Sequence, residues 1–320
     1  MSDPSSRLNL IQRAMQRGAL AREATRPDQI AVQRTEPPAQ SRAPDQIHAT
    51  PAPSIRAEVV EPLQLRKAQP VRLDTAKLTA SRITLPENTK TVTYNEFRSL
   101  KRKLIPMTAN PETGAMTRNL VMVTSAVPGE GKTFTAMNLA IALAAEPNLD
   151  VILVDGDVTQ GSIATYFQEP VQDGLLELLT GKRQRLEEVL HPCADLPQLH
   201  VLFAGARHHA TPELFASRGM ADLCTALSTH FPQSIVLFDM PPVLAASEPA
   251  AIAAHVHHLI MVVAAGRAGR DQVEAALAEV SRCPSISVVF NQSPEWERPL
   301  NDMYSRPYSY GVPKSEEASA

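Results

Sequence analysis

The chain has 320 residues, 43% hydrophobic and 20% charged, with a formal net charge of −3; this balance suits a globular core and excludes nucleic-acid binding through bulk positive charge. Cys193, Cys224 and Cys283 are far apart and odd in number, which excludes a disulfide framework and offers no metal-ligand spacing. No long apolar run predicts a membrane span and the start carries no apolar signal core, so the expectation is a cytoplasmic protein unless a partner holds it elsewhere.

Residues 1–90 are rich in Pro, Gln, Arg, Ala and Ser, as in 36–53 (EPPAQSRAPDQIHATPAP). Too little apolar surface is available there to offset the entropy of ordering, so a largely disordered region is expected. Near its start Leu8, Ile11 and Met15 recur at helical spacing among Arg7, Arg13, Arg17 and Arg22. That pattern reads equally as a short amphipathic helix docking on a partner or membrane surface, or as a partly helical tail.

From 91 to 295 apolar runs alternate with helical patterns. Buried strands are predicted at 120–125 (LVMVTS), 151–155 (VILVD), 200–203 (HVLF), 235–239 (IVLFD), 259–263 (LIMVV) and 287–291 (SVVFN). Helices are predicted at 132–145, 174–179 with 186–190, 212–229 and 271–281. Continuous rather than alternating apolar runs mean that both faces of the sheet are covered. The expectation is an α/β fold, a doubly wound parallel sheet flanked by helices. Residues 296–320 read as a flexible tail, with Trp296 packing at the domain edge.

The segment 125–133 (SAVPGEGKT) lies between a predicted strand and a predicted helix, the context that makes a Gly-Lys-Thr string a phosphate-binding loop. Its members Pro128, Gly129, Glu130, Gly131, Lys132, Thr133 and Phe134 are candidates for binding ATP. Backbone amides around the glycines and the helix N-terminus attract phosphate. Lys132 would neutralise the β- and γ-phosphates, and the Thr133 hydroxyl would coordinate Mg2+. Ala126 stands where the general pattern has its first glycine.

Two predicted strands end in carboxylates, Asp155 with Asp157 and Asp239. Unpaired carboxylates at buried strand ends are costly unless something positive meets them. Thr133, Asp155, Asp157 and Asp239 are therefore the candidate metal ligands, and Lys132, Asp155 and Asp157 the candidate catalytic residues. Three of only five tyrosines, Tyr304, Tyr308 and Tyr310, cluster in the polar tail without an apolar period to bury them. They are the candidate phosphoacceptors. His255 and His258 could share a helix face, but no Cys or acidic partner has suitable spacing, so these and His208, His209 and His257 read as exposed or helix-end histidines.

Together these segments resemble the bacterial tyrosine autokinases (BY-kinases) that regulate exopolysaccharide export, over most of residues 91–310. The phosphate loop, Val-Asp-x-Asp at 154–157 and Phe-Asp-Met-Pro-Pro at 238–242 resemble that family's Walker A, A′ and B motifs. Segments 174–181 (GLLELLTG) and 204–217 (AGARHHATPELFAS) are also similar. Residues 94–102 (YNEFRSLKR) resemble a helix that helps the family assemble a ring, with Asn95, Arg98 and Lys101 where relatives carry Glu, Arg and Arg. The start and the tyrosine tail resemble the subgroup of exosortase-linked polysaccharide loci. The resemblance implies a P-loop NTPase-type fold, autophosphorylation in trans, self-association, a membrane chain-length-determinant partner, a tyrosine phosphatase, and a peripheral place at the inner membrane. It also implies that Asn291 contacts the adenine base, although the residue alone reads as a strand-end cap. Two other readings stand beside this one: a partitioning or positioning ATPase of the deviant-Walker class, whose extra loop lysine is Val127 here, and an ATP-binding assembly scaffold.

Overall fold

Along each predicted strand, alternate side chains point to opposite faces, and both faces find cover. Val121, Val123, Val151, Leu153, Ile235 and Leu237 join one buried cluster; Leu120, Met122, Ile152, Val154, Val236 and Phe238 join the other. The computed structural model describes residues 68–87, 91–109, 116–159, 163–168 and 173–293. The amphipathic segment at 8–15, Trp296 and the three tail tyrosines lie outside these residues.

The strands β1 (Leu120–Ser125), β2 (Asp150–Asp155), β3 (Leu190–Pro192), β4 (Leu199–Leu202), β5 (Ser234–Asp239), β6 (His258–Ala264) and β7 (Ile286–Asn291) form one sheet. Their order is β3-β4-β2-β5-β1-β6-β7. Every pairing is parallel except that of β3 with β4. The parallel strands therefore bring their C-terminal ends to one edge, where ligands of doubly wound sheets lie.

On one face lies α3 (Lys132–Ala144), an Ala- and Leu-rich helix buried along nearly its whole length. Beyond it packs α2 (Val92–Thr108), begun by the Thr91 hydroxyl accepting from Tyr94 N–H at 3.1 Å. The other face is covered by α6 (Arg218–His230), α7 (Glu248–Ile252) and α8 (Arg270–Glu279).

The architecture expected from sequence is present, with local corrections. Among the described residues, packing on the sheet already includes 68–87, ahead of the expected start at 91: α1 (Thr75–Ala80) and its flanks pack there through Val71, Leu73, Leu78 and Ile83. Four isolated anchors leave no periodicity to read. The helix expected at 212–229 is two, α5 (Thr211–Phe215) and α6. The Ser217 hydroxyl divides them, donating to Leu214 O at 2.7 Å and accepting from Met220 N–H at 3.4 Å. Residues 186–190 hold a short 3-10 turn followed by β3 instead of a helix. β3 ends in Pro192 at the sheet edge, the position that tolerates a missing donor. α7 and β3 were not expected at all. β7 is an edge strand, and its Phe290 is 75% exposed rather than covered.

Candidate active site

The phosphate loop leaves β1 at Ser125 and enters α3 at Lys132, with Gly129 and Gly131 in left-handed backbone (φ 81° and 91°) that other residues avoid. The loop is stapled from three directions. Glu130 is fully buried, and its carboxylate accepts from Val127 N–H at 2.9 Å and from Ala264 N–H, at the end of β6, at 3.1 Å. The Asn291 amide donates to Glu130 O at 2.9 Å, and the Gln292 amide to Gly129 O at 3.3 Å. A loop held this way keeps its amides oriented before a ligand arrives, which spares ordering cost on binding.

Beside the loop stand the strand-end carboxylates. Asp155 and Asp239 are register partners on β2 and β5, both fully buried. None of their four carboxylate oxygens meets a partner at good hydrogen-bond geometry, although the backbone N–H groups of Asp157 and Ile163 stand near Asp155 and the Thr133 hydroxyl near Asp239. Burial, reinforced by Asp239 and Asp157, raises the Asp155 carboxyl well above the ordinary range. Burial likewise lifts Asp239 to about 6, held back by the Lys132 charge and the nearby Thr133 hydroxyl. Asp157 is also buried, and its Oδ2 lies 2.6 Å from Lys132 Nζ.

Such orphaned carboxylates are rare in folded chains, because each unmet acceptor costs about 1–3 kcal/mol and more when charged. They fit a hard divalent cation, which binds oxygen ligands and commonly bridges carboxylates to phosphates. The oriented loop and Lys132 fit the phosphates themselves. Thr133, Asp155, Asp157 and Asp239 are oxygen donors of the type Mg2+ takes, and the loop amides and Lys132 are of the type phosphates take, although no three or more His, Cys, Asp or Glu among the described residues are grouped as a metal site.

The structure thus gathers Pro128, Gly129, Glu130, Gly131, Lys132, Thr133, Asp155, Asp157, Asp239 and Asn291 at one edge of the sheet. Two of the expected nucleotide contacts serve otherwise through their side chains. Glu130 faces inward as a brace, and Phe134 packs edge-to-face on Phe97, with centroids 5.8 Å apart. Asn291 caps the loop. The histidines do not share a helix face: His255 follows α7, while His258 opens β6 and contacts Met107 O at 2.7 Å. Sequence reading missed Gln292 and Arg267. The available signal was position: each follows a parallel strand at the ligand edge.

No protein-family model matches the chain. Over 175 residues, 54% of this chain, it is 33% identical to EpsB of Ralstonia nicotianae, a candidate tyrosine-protein kinase by name. It is 27% identical over 198 residues to the tyrosine-protein kinase YwqD of Bacillus subtilis, covering 61% of this chain and 78% of YwqD. The kinase domain of the Escherichia coli tyrosine kinase ETK superposes with a TM-score of 0.58 at 25% identity, covering 70% of this chain and 82% of that domain. Over these segments the chain is similar to bacterial tyrosine kinases. It spans only 23% of EpsB's own length, so the likeness to EpsB concerns one part of a longer protein. No described helix is long and apolar enough to cross a membrane.

Proposed function

We propose that this chain is an ATP-dependent protein-tyrosine kinase that phosphorylates Tyr304, Tyr308 and Tyr310 of a neighbouring copy and so regulates exopolysaccharide synthesis and export. The observation that carries the reading is the pair Asp155 and Asp239, buried and without a hydrogen bond of good geometry beside an oriented phosphate loop. When bound, Mg2+–ATP supplies the transferable γ-phosphoryl group and much of the charge that stabilises its transfer.

The chain's own residues do the rest. Lys132 exchanges Asp157 for phosphate oxygens, which turns an internal ion pair into a ligand contact. Asp157, released, or Asp155 orients the incoming tyrosine hydroxyl and takes its proton as the new O–P bond forms and the bond to the leaving ADP oxygen breaks. Asp239 and Thr133 would hold the metal.

The same reading supplies a membrane chain-length-determinant protein as partner, a tyrosine phosphatase as antagonist, self-association into a ring, and a peripheral place at the inner membrane. Ring contacts through α2 would use Asn95, Glu96 and Arg98, which are exposed. Lys101 is not available for them, being 6% exposed with Nζ 2.6 Å from Glu146 Oε1. Residues 1–67 and 294–320 would then be the regions that meet partners and present acceptor tyrosines.

Phosphosite mass spectrometry after incubation with Mg2+–ATP tests the activity, with Lys132→Met as control. Phosphate on the tail tyrosines that is lost by at least about a hundredfold in the variant supports the kinase, as expected for removal of the main phosphate cation. ATP hydrolysis without any phosphotyrosine would instead point to a positioning ATPase.

A further inference from the structure

Beyond β6 the chain turns back over the phosphate loop. Ala264 N–H is held by Glu130, and Ala265 N–H donates to Asn291 O at 3.0 Å. Gly266 takes the left-handed turn (φ 72°), and Arg267 N–H closes it on Ala264 O at 3.3 Å. The side chain of Arg267 is thereby laid against Gly129: a Cβ built on that glycine would stand 2.6 Å from Nη1, 3.0 Å from Cζ and 3.5 Å from Nη2. The whole guanidinium plane therefore borders the loop, in space left open because residue 129 has no side chain.

Two cations at this loop differ in burial and in pairing. Lys132 is buried and already balanced by Asp157. Arg267 is exposed, and no described carboxylate forms an ion pair with it. The guanidinium stands next to the phosphate loop, an element built to attract anions. A planar guanidinium fork matches phosphate oxygens in pairs, and its charge cannot be titrated away.

We propose that Arg267 is a second cationic ligand of the nucleotide's phosphate chain, supplied by the same chain and closing over the loop from the solvent side. The inference rests on the nucleotide reading above and adds a contact outside the Lys132, Thr133 and carboxylate set. It also assigns a role to the Glu130 staple. By tying Ala264 to the loop, that staple fixes where the Arg267 turn begins.

The test is a fluorescence titration of the full chain with Mg2+ and N-methylanthraniloyl-ADP, at low and at moderate salt, on wild type, Arg267→Ala and Arg267→Lys. Because Arg267 is exposed, thermal melts of the three proteins should coincide. Arg267→Ala should bind about tenfold more weakly, the size of a lost charge-assisted hydrogen bond. Its affinity should also fall less steeply with salt, since one phosphate contact is gone. Arg267→Lys should lie between, keeping the charge without the fork. Unchanged binding by Arg267→Ala overturns the inference, and so does tighter binding, which would make the guanidinium a plug. A wild type that binds no nucleotide overturns this inference and the nucleotide reading together, whereas wild-type binding with an indifferent Arg267→Ala overturns this one alone.

Discussion

Two buried polar sites at opposite ends of the same sheet have opposite hydrogen-bond fates. At the amino edge, just before β1, Asn119 is fully buried and fully used. Its amide donates to Phe231 O at 3.1 Å and Ser234 O at 3.0 Å, and its carbonyl accepts from Ser228 Oγ at 2.9 Å. At the carboxyl edge Asp155 and Asp239 are equally buried, and none of their oxygens is bonded at good geometry. A polar group kept for folding finds its partners within the chain. A polar group left without them costs stability, and the fold tolerates it where a ligand completes the set. For these carboxylates and this amide the difference separates site from scaffold without reference to any motif; His258 Nδ1, at the amino end of β6, is buried and unpartnered without lying at the site.

Substitutions at the two ends should therefore move stability in opposite directions. The largest effect is expected at the amino edge. Asn119→Ala strands two backbone carbonyls and a hydroxyl and should cost about 3 kcal/mol in urea unfolding, with little change in nucleotide affinity once folded. At the carboxyl edge Asp239→Asn should stabilise the metal-free protein by about 2 kcal/mol at pH 7 while abolishing any further stabilisation by Mg2+–ADP. A loss of stability in that variant without ligand would break the contrast.

The pH dependence sharpens it. Asp239 titrates near 3.8 in an ordinary setting and at about 6 in the fold, so the native state holds a proton that the unfolded chain has released. The native state thus binds more protons in that interval, and the contribution of Asp239 to stability falls as pH rises from about 4 to about 6. Asp239→Asn should remove this slope, measured as the difference between metal-free melting temperatures across that range. The smallest effect is expected between the two extremes, at a satisfied group that serves the site. Glu130→Gln keeps one of its two acceptor roles, and should cost about 1 kcal/mol of stability and roughly fivefold in nucleotide affinity.

Much of this was legible in the sequence because it is local. The phosphate loop is nine consecutive residues, and the carboxylates end apolar runs that could only be buried strands. The parallel sheet followed from those runs, and its strands lie within a residue or two of the places expected. What escaped is set by contacts between distant residues. Nothing near Glu130 announces that its carboxylate bonds Ala264, and nothing near Arg267 announces Gly129. The anchors Val71, Leu73 and Leu78 are single apolar residues in a polar stretch, meaningful only once Cys193 and Phe167 are beside them. Helix α7 and strand β3 are too short to carry a period. The split between α5 and α6 turns on the Ser217 hydroxyl, whose residue type fits a helix surface and a cap alike.

The central claim is that the orphaned carboxylates are completed by a metal-bound nucleotide. Calorimetric titration of ADP into the full chain, with Mg2+ and with EDTA, on wild type and on the Asp155→Asn, Asp239→Asn double variant, addresses it most directly. The account predicts binding by wild type that weakens by at least about tenfold when Mg2+ is removed, a coupling of about 1.4 kcal/mol, and a variant whose affinity no longer depends on the metal. Equal affinity with and without Mg2+ in the wild type, or undiminished metal dependence in the variant, would contradict it.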